Sequence, residues 1–327
     1  MLKQVNKLNN IYKFHIKNKY NYIYMKIKIW YYNFWKGFNL LKRSFIQVLE
    51  EDGYEFILDE KNPDIVFFNS FGEITYNGPA IKIGYVTEDM YRFTGIFKKI
   101  QEGYFDMVIG NINYMKSSKF CKHPLYINSC DYKDPSQERI DAINNTILER
   151  DVSKLKFCSI VASHDMYGNR MPIVNLLSKI GFIECPGKMN NNVPSFDDAG
   201  LTKQEYIGKF IFNICPENHM GHEGYTSEKL LDAISSGCIP IYYGRTNDVQ
   251  DVKIFNQNRI IRYDPSSEET MNECYKKIKD LMENPVKLKE FYQQSPFVEN
   301  SIDIINFMFN DLKKKFKKLL KKKKYII

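Results

Sequence analysis

Short apolar runs alternate with amphipathic stretches along most of the chain. Residues 25–31 alternate Lys with Ile and Trp, the period-two signature of a strand, and residues 38–49 carry helical spacing that ends near Gly53. Tyr54–Leu58, Ile65–Phe68, Ile81–Val86 and residues 107–109 are further short β-rich runs separated by turn residues. Strands that alternate with helical patterns predict a parallel, Rossmann-like sheet, here over residues 25–150. Residues 1–24 show no clear period and read as a basic arm. A polar, charged stretch from Asn128 to about Val152 marks the expected boundary with a second domain over 151–300.

The second domain opens on a predicted strand at 156–163, followed by a loop from His164 to Arg170 and a helix over 171–180. A short helix at 202–208 leads into a strand at 210–215 and a polar loop containing Glu217 and Asn218. Ser227-Glu228-Lys229 then opens a helix that buries Leu230, Leu231 and Ile234 and stops at Gly237, before another strand at 239–243. Such βαβ units place ligands at the carboxyl ends of their strands. With Lys229 in its first turn, the helix offers amide groups, a positive dipole end and a full charge in one place, which suits a phosphate.

Two further positions fit that picture. Arg170 stands at a predicted helix N-terminus, where the dipole disfavours it; a strongly anionic partner explains the placement, and so does pairing with a nearby acid. Glu88 follows the Ile81–Val86 strand, where α/β domains put their chemistry, and is a candidate general base; capping of the next helix by Glu88 or Asp89 is the alternative. After a strand at 259–263 and helices at Glu268–Glu283 and beyond Pro285, residues 302–320 read as a final helix. It sets Phe309, Leu312, Phe316, Leu319 and Leu320 beside a run of lysines. That pattern predicts a basic amphipathic helix, within a tail over 301–327, that contacts an anionic membrane through residues 313–327; a solvated end is the alternative.

Charge sharpens this reading. The chain of 327 residues has a formal net charge of +8, yet nine lysines and no acid follow Asp311, and seven lysines and no acid occupy residues 1–28. The body between is therefore acidic, at about −8 by the same count. A nucleic-acid-binding fold spreads positive charge over a folded face, so this distribution argues against one. Seven cysteines without a CxxC read as reduced, buried side chains, and the expected location is cytoplasmic or peripheral at a membrane surface. No Asp-x-Asp occurs, so no metal–diphosphate clamp is expected. His219 and His222 beside Glu223 read as loop polar residues rather than metal ligands.

The segment from Phe210 to Gly244 resembles the signature region of the glycosyltransferase family ten α-1,3-fucosyltransferases. Glu217-Asn218, Tyr225-Thr226-Ser227-Glu228-Lys229 and Gly237-Cys238-Ile239-Pro240-Ile241-Tyr242-Tyr243-Gly244 carry the likeness in order and spacing. Phe157-Cys158-Ser159 through Asn169-Arg170, and Glu88, extend it over about residues 25–265. The resemblance implies a GT-B architecture of two Rossmann-like domains with a cleft between them, an acceptor domain first and a donor domain second. It implies inverting transfer of fucose from GDP-fucose to a hydroxyl of an acceptor glycan, without a cofactor or an obligatory metal. Arg170 and Lys229 would meet the diphosphate charge, Glu228 the donor's ribose or sugar hydroxyls, and Tyr225 the nucleotide. Glu217 and Asn218 would shape the donor site, and Glu88 would take the acceptor's proton. Pro216 and Ser227 depart from the family's usual Phe and Thr, and His219 and His222 polarise the loop; these bear on which sugar is donated. The Gly-Cys-Ile-Pro piece is also similar to exostosin-like transferases, which use UDP-sugars. A third reading is a non-catalytic glycan-binding or membrane-surface module.

Overall fold

A computed structural model describes residues 25–111, 118–129, 137–221, 223–245 and 249–323. The basic arm over 1–24, His222 and the last residues of the tail lie outside them.

The first unit builds a six-stranded sheet from β1 (Met25–Tyr32), β2 (Tyr54–Leu58), β3 (Ile65–Phe68), β4 (Ile81–Val86), β5 (Met107–Gly110) and β6 (Phe120–Lys122), in the order β2-β1-β3-β4-β5-β6. The second builds a five-stranded sheet from β7 (Lys156–Ser159), β8 (Ile183–Glu184), β9 (Phe210–Ile214), β10 (Ile239–Tyr242) and β11 (Ile261–Arg262), in the order β11-β10-β9-β7-β8. Every pairing between neighbours in both sheets is parallel. Both faces of a parallel sheet are covered, and β3 shows the consequence: Ile65 and Phe67 join one core, Val66 and Phe68 the other. Two strands, β6 and β8, escape the sequence reading because three and two residues give no period to detect.

In each sheet the chain steps one way from a central strand and then returns to its other side. The order therefore reverses between β1 and β3 in the first sheet and between β7 and β9 in the second. Such switch points open crevices at the carboxyl ends of the strands.

The helices Leu125–Ser129 and Gln137–Glu149 precede residue 150, and their Tyr126, Ile127, Ile140, Ile143 and Ile147 pack in the core that covers the second sheet. The final helix, Ser301–Lys322, straps the two cores together. Its Ile305, Met308 and Phe309 enter the second core, while Leu312, Phe316, Leu319 and Leu320 enter the first. The apolar stripe expected to lie on a membrane is thus already buried, because the first sheet needs that cover on one face. Some lysines are engaged as well: Lys313 pairs with Asp52 at 3.3 Å and Lys323 with Asp106 at 3.0 Å. No described helix is long and apolar enough to cross a membrane.

Candidate active site

The site is built on the helix Glu228–Ser235, the crossover between β9 and β10. Its N-cap is Ser227, and the charge that meets its N-terminus is internal. The carboxylate of Glu217, wholly buried, accepts the Ser227 amide at 2.7 Å and the Ser227 hydroxyl at 2.6 Å, and the Tyr242 hydroxyl at 3.0 Å. Two arginines meet the other end: Arg150 Nη1 donates to Ser236 O at 2.6 Å, and Arg259 Nη1 to Cys238 O at 2.8 Å. An anion at the N-terminus and cations at the C-terminus both suit the helix dipole. The helix start read as phosphate-ready is thus partly satisfied by Glu217, which is sealed from solvent and fixes the helix.

Lys229 extends from that first turn. Its Nζ lies 3.0 Å from Ser227 Oγ, 3.6 Å from Glu217 Oε2 and 3.5 Å from Glu228 Oε1. Burial opposes its charge, but the carboxylates of Glu228, Glu217 and Glu88 prevail and raise its pKa. Burial likewise opposes ionisation of Glu228, and Lys229 with Lys203 reverses that and holds its carboxyl below the usual range.

Arg170 arrives from the loop after β7. Asp165 accepts the amides of Arg170 at 3.0 Å and Met171 at 2.9 Å, capping the helix that follows. The buried guanidinium then has neutral neighbours: Nη1 donates to His164 O and Nη2 to Asn218 Oδ1 at 2.8 Å, while Nε is without a partner among the described residues. Of the two explanations for this arginine, pairing with a nearby acid is not what its hydrogen bonds show. Asn169 fixes the adjoining crevice by donating to Glu217 O at 2.8 Å and Asn218 O at 3.1 Å, across the β7/β9 switch point.

Arg170 and Lys229 line one small cavity, open to solvent, together with Lys203, Asn213 and Asp232. Lys203 was not foreseen from the sequence. It begins a helix at Lys203–Ile207 fixed by a Thr202/Glu205 capping box, and it pairs with Asp232 at 2.6 Å. The Thr-x-x-Glu spacing was the signal that could have placed it.

Glu88 comes from the other domain. The turn that carries it is held by buried asparagines: Asn69 Nδ2 donates to Thr87 Oγ1 at 3.1 Å and Asn111 Nδ2 to Thr87 O at 3.2 Å. Gly110, at φ +127°, lets β5 close against Val86, whose carbonyl would sit 2.0 Å from any Cβ there. Asp89 accepts the Tyr91 amide at 3.1 Å and forms the turn, which leaves Glu88 aimed across the cleft, 3.4 Å from the Tyr225 hydroxyl. Burial raises the Glu88 pKa; Lys229 and Arg92 pull it down, and Glu228 and Glu217 add to the rise. Tyr225 itself is buried, so it joins the domains at this point. Lys122 Nζ supports the same loop by donating to Gly224 O at 2.9 Å. Among the described residues no group of three or more His, Cys, Asp or Glu is arranged to hold a metal.

No family model matches the chain. It is 33% identical over 103 residues, 32% of its length, to the alpha-(1,3)-fucosyltransferase FucT of Helicobacter pylori, covering 21% of that protein. A chain from Acanthamoeba polyphaga mimivirus aligns at 27% identity over 225 residues, 64% of this chain and 35% of its own length. The chain therefore spans a fifth to a third of these relatives. Its fold matches a crystal structure of alpha1,3-fucosyltransferase with GDP, at TM-score 0.64, 19% identity and 93% coverage of both chains. A second, with GDP-fucose, matches at TM-score 0.63 and 21% identity, covering 88% of this chain and 90% of that one. The two parallel sheets thus form a fold of the GT-B type.

Proposed function

We propose that this chain transfers fucose from GDP-fucose to a hydroxyl of an acceptor glycan, with inversion at the anomeric carbon. The observation that carries the reading is Arg170: a buried cation with neutral hydrogen-bond partners and an Nε without a partner among the described residues, facing the same cavity as Lys229. Two neighbouring cations repel, and a diphosphate between them relieves that repulsion. The fold, shared with proteins crystallised with GDP and GDP-fucose, supports the choice of nucleotide.

In this mechanism negative charge grows on the diphosphate as the glycosidic bond breaks, and Arg170 and Lys229 stabilise it from fixed positions. Glu88, reaching in from the opposite domain, removes the acceptor proton. Burial brings its pKa toward the working pH, which favours a general base. A base on the far side of the sugar from the leaving group gives a single displacement, hence inversion. Glu228 binds donor hydroxyls, Asn218 orients Arg170, Tyr225 orients Glu88, and Glu217 positions the helix. The two cations supply the charge that a metal would bring, so we propose a metal-independent reaction in a cytoplasmic protein. Contact with an anionic membrane would use the lysine face of the final helix, since its apolar face is occupied.

The test is GDP release from GDP-fucose with a panel of glycans, beside calorimetric titration with GDP and UDP. Binding of UDP without GDP would favour a UDP-sugar donor, and unaltered turnover in Lys229→Ala and Arg170→Ala would remove the site assignment.

A further inference from the structure

A second feature lies at the switch point of the first sheet, on the loops after β1 and β3. Three aromatic rings stand there in sequence. Trp35 and Phe71 meet edge to face with centroids 6.2 Å apart, and Phe71 meets Phe93 at 5.3 Å. Trp35 is 38% and Phe71 44% exposed, unlike the buried aromatics of the adjoining core. The row continues toward the cleft: the Arg92 guanidinium lies 5.1 Å from the Phe93 ring and 5.1 Å from the Tyr167 ring of the second domain, which packs on His219. Arg92 N donates to Asp89 O at 3.1 Å, so the row ends on the turn that carries Glu88.

The backbone under these rings is tied by hydrogen bonds. Phe71 N donates to Asn33 O at 3.2 Å, and Asn33 Nδ2 donates to Glu73 O at 3.0 Å. Asn33 adopts φ 65°, a left-handed conformation that asparagine tolerates. A Cβ on Gly72 would stand 2.6 Å from Asn33 Oδ1, so a larger residue there would displace the Asn33 amide that ties the two loops. Solvent-facing rings held on interlocked loops at a crevice are arranged for a ligand, since unused apolar surface gains nothing from being held in place.

Resting on the reading above, we propose that Trp35, Phe71 and Phe93 form the acceptor subsite and stack on pyranose rings of an oligosaccharide. The C–H face of a pyranose is apolar and slightly positive, which suits the negative face of an aromatic ring, while its hydroxyls stay in water or meet Asn33 and Arg92. A row of rings leading to Glu88 fits a chain of sugars whose terminal unit presents a hydroxyl to the base.

The test is binding of the labelled full chain to a printed glycan array with excess GDP, for wild type, Phe71→Ala, Trp35→Ala and Lys229→Ala, with thermal melting of each. The proposal expects wild type to bind a set of glycans, Phe71→Ala and Trp35→Ala to weaken that set by about tenfold, and Lys229→Ala to keep it. Trp35 also packs on Phe38, so Trp35→Phe, retaining a ring, should keep binding if Trp35→Ala misfolds. Unchanged glycan binding in Phe71→Ala, no glycan binding by wild type, or a wild-type dimer in sedimentation that Phe71→Ala dissolves would each overturn the proposal. GDP affinity, measured separately, reports on the donor reading and is expected to be the same in wild type and Phe71→Ala.

Discussion

Tyr225 Oη lies 3.4 Å from Glu88 Oε2, joining the loop before the donor helix to the first domain across the cleft. The phenol donates to the carboxylate and so favours its ionised form. Tyr225→Phe removes that donor and leaves the ring. Transfer is expected to fall by about tenfold, the low end for a hydrogen bond to a charged group, because the contact is long. The acidic limb of the kcat/KM profile should move to higher pH. A profile that keeps its limb would detach Tyr225 from Glu88.

Glu88→Gln separates chemistry from stability. Burial raises the pKa of Glu88 in the folded chain, so protonation favours the native state. That contribution is complete below the unfolded pKa, about 4.3, and is lost as pH rises through the folded value. At neutral pH an ionised Glu88 is therefore a net cost that glutamine removes. Expected are a melting temperature at pH 7 equal to or above wild type, unchanged GDP affinity, and transfer reduced by about 10²–10⁴-fold. Transfer near the wild-type rate would exclude Glu88 as the base.

Lys229→Ala should act on both. It removes a cation from the proposed diphosphate site, with an expected loss of about 10²–10³ in kcat/KM. It also strips Glu217 and Glu228 of a cation 3.6 and 3.5 Å away, so stability should fall by about 1–3 kcal/mol. Lys229→Arg should recover most of the stability in urea unfolding, since the charge remains. Equal losses in both variants would mean that the ammonium's shape, not its charge, holds the acids together.

Sequence legibility followed the strength of the local signal. The strands Tyr54–Leu58, Ile65–Phe68 and Ile81–Val86 and the helix Glu268–Glu283 are found where their patterns place them, because each has turn residues or caps at its ends. The segment around Lys229 was legible because a strand, a cap and a glycine stop fall within some thirty residues. What was hidden depends on contacts far apart in sequence. Glu217 reads as a loop residue until Ser227 and Tyr242 fold onto it, and no spacing reveals that its carboxylate is sealed. The exposed Trp35 and Phe71 look like any aromatics in an aromatic-rich chain until β1 and β3 become neighbours.

Glu217→Ala should destabilise without touching substrate. It leaves the Ser227 amide and hydroxyl and the Tyr242 hydroxyl without their acceptor in a buried place, and Lys229 without one of its acids. Breaking such a charged, hydrogen-bonded cluster costs about 3–5 kcal/mol. Denaturant unfolding measures it, and Glu217→Gln, which keeps one acceptor oxygen, should lose less. A variant as stable as wild type would show that water replaces the carboxylate, and the account of the helix N-terminus would fail.

The last helix distinguishes a strap from a membrane anchor. Phe316 is buried, with ring contacts to Tyr54 at 5.6 Å and Phe56 at 6.1 Å in the first domain. If it serves the fold, Phe316→Ala opens a cavity beneath the sheet and costs about 3–5 kcal/mol in urea unfolding. Affinity for anionic vesicles, if any, should be unchanged, because it would depend on the lysine face. If the apolar stripe instead enters lipid, the same substitution weakens vesicle binding while stability in solution stays near wild type. Charge reversal of the exposed Lys317 and Lys318 supplies the complementary arm: it should lower vesicle binding and leave unfolding nearly unchanged, since neither side chain is buried. Stability lost with Phe316 and vesicle binding lost with the lysines would assign the two faces of one helix to separate tasks.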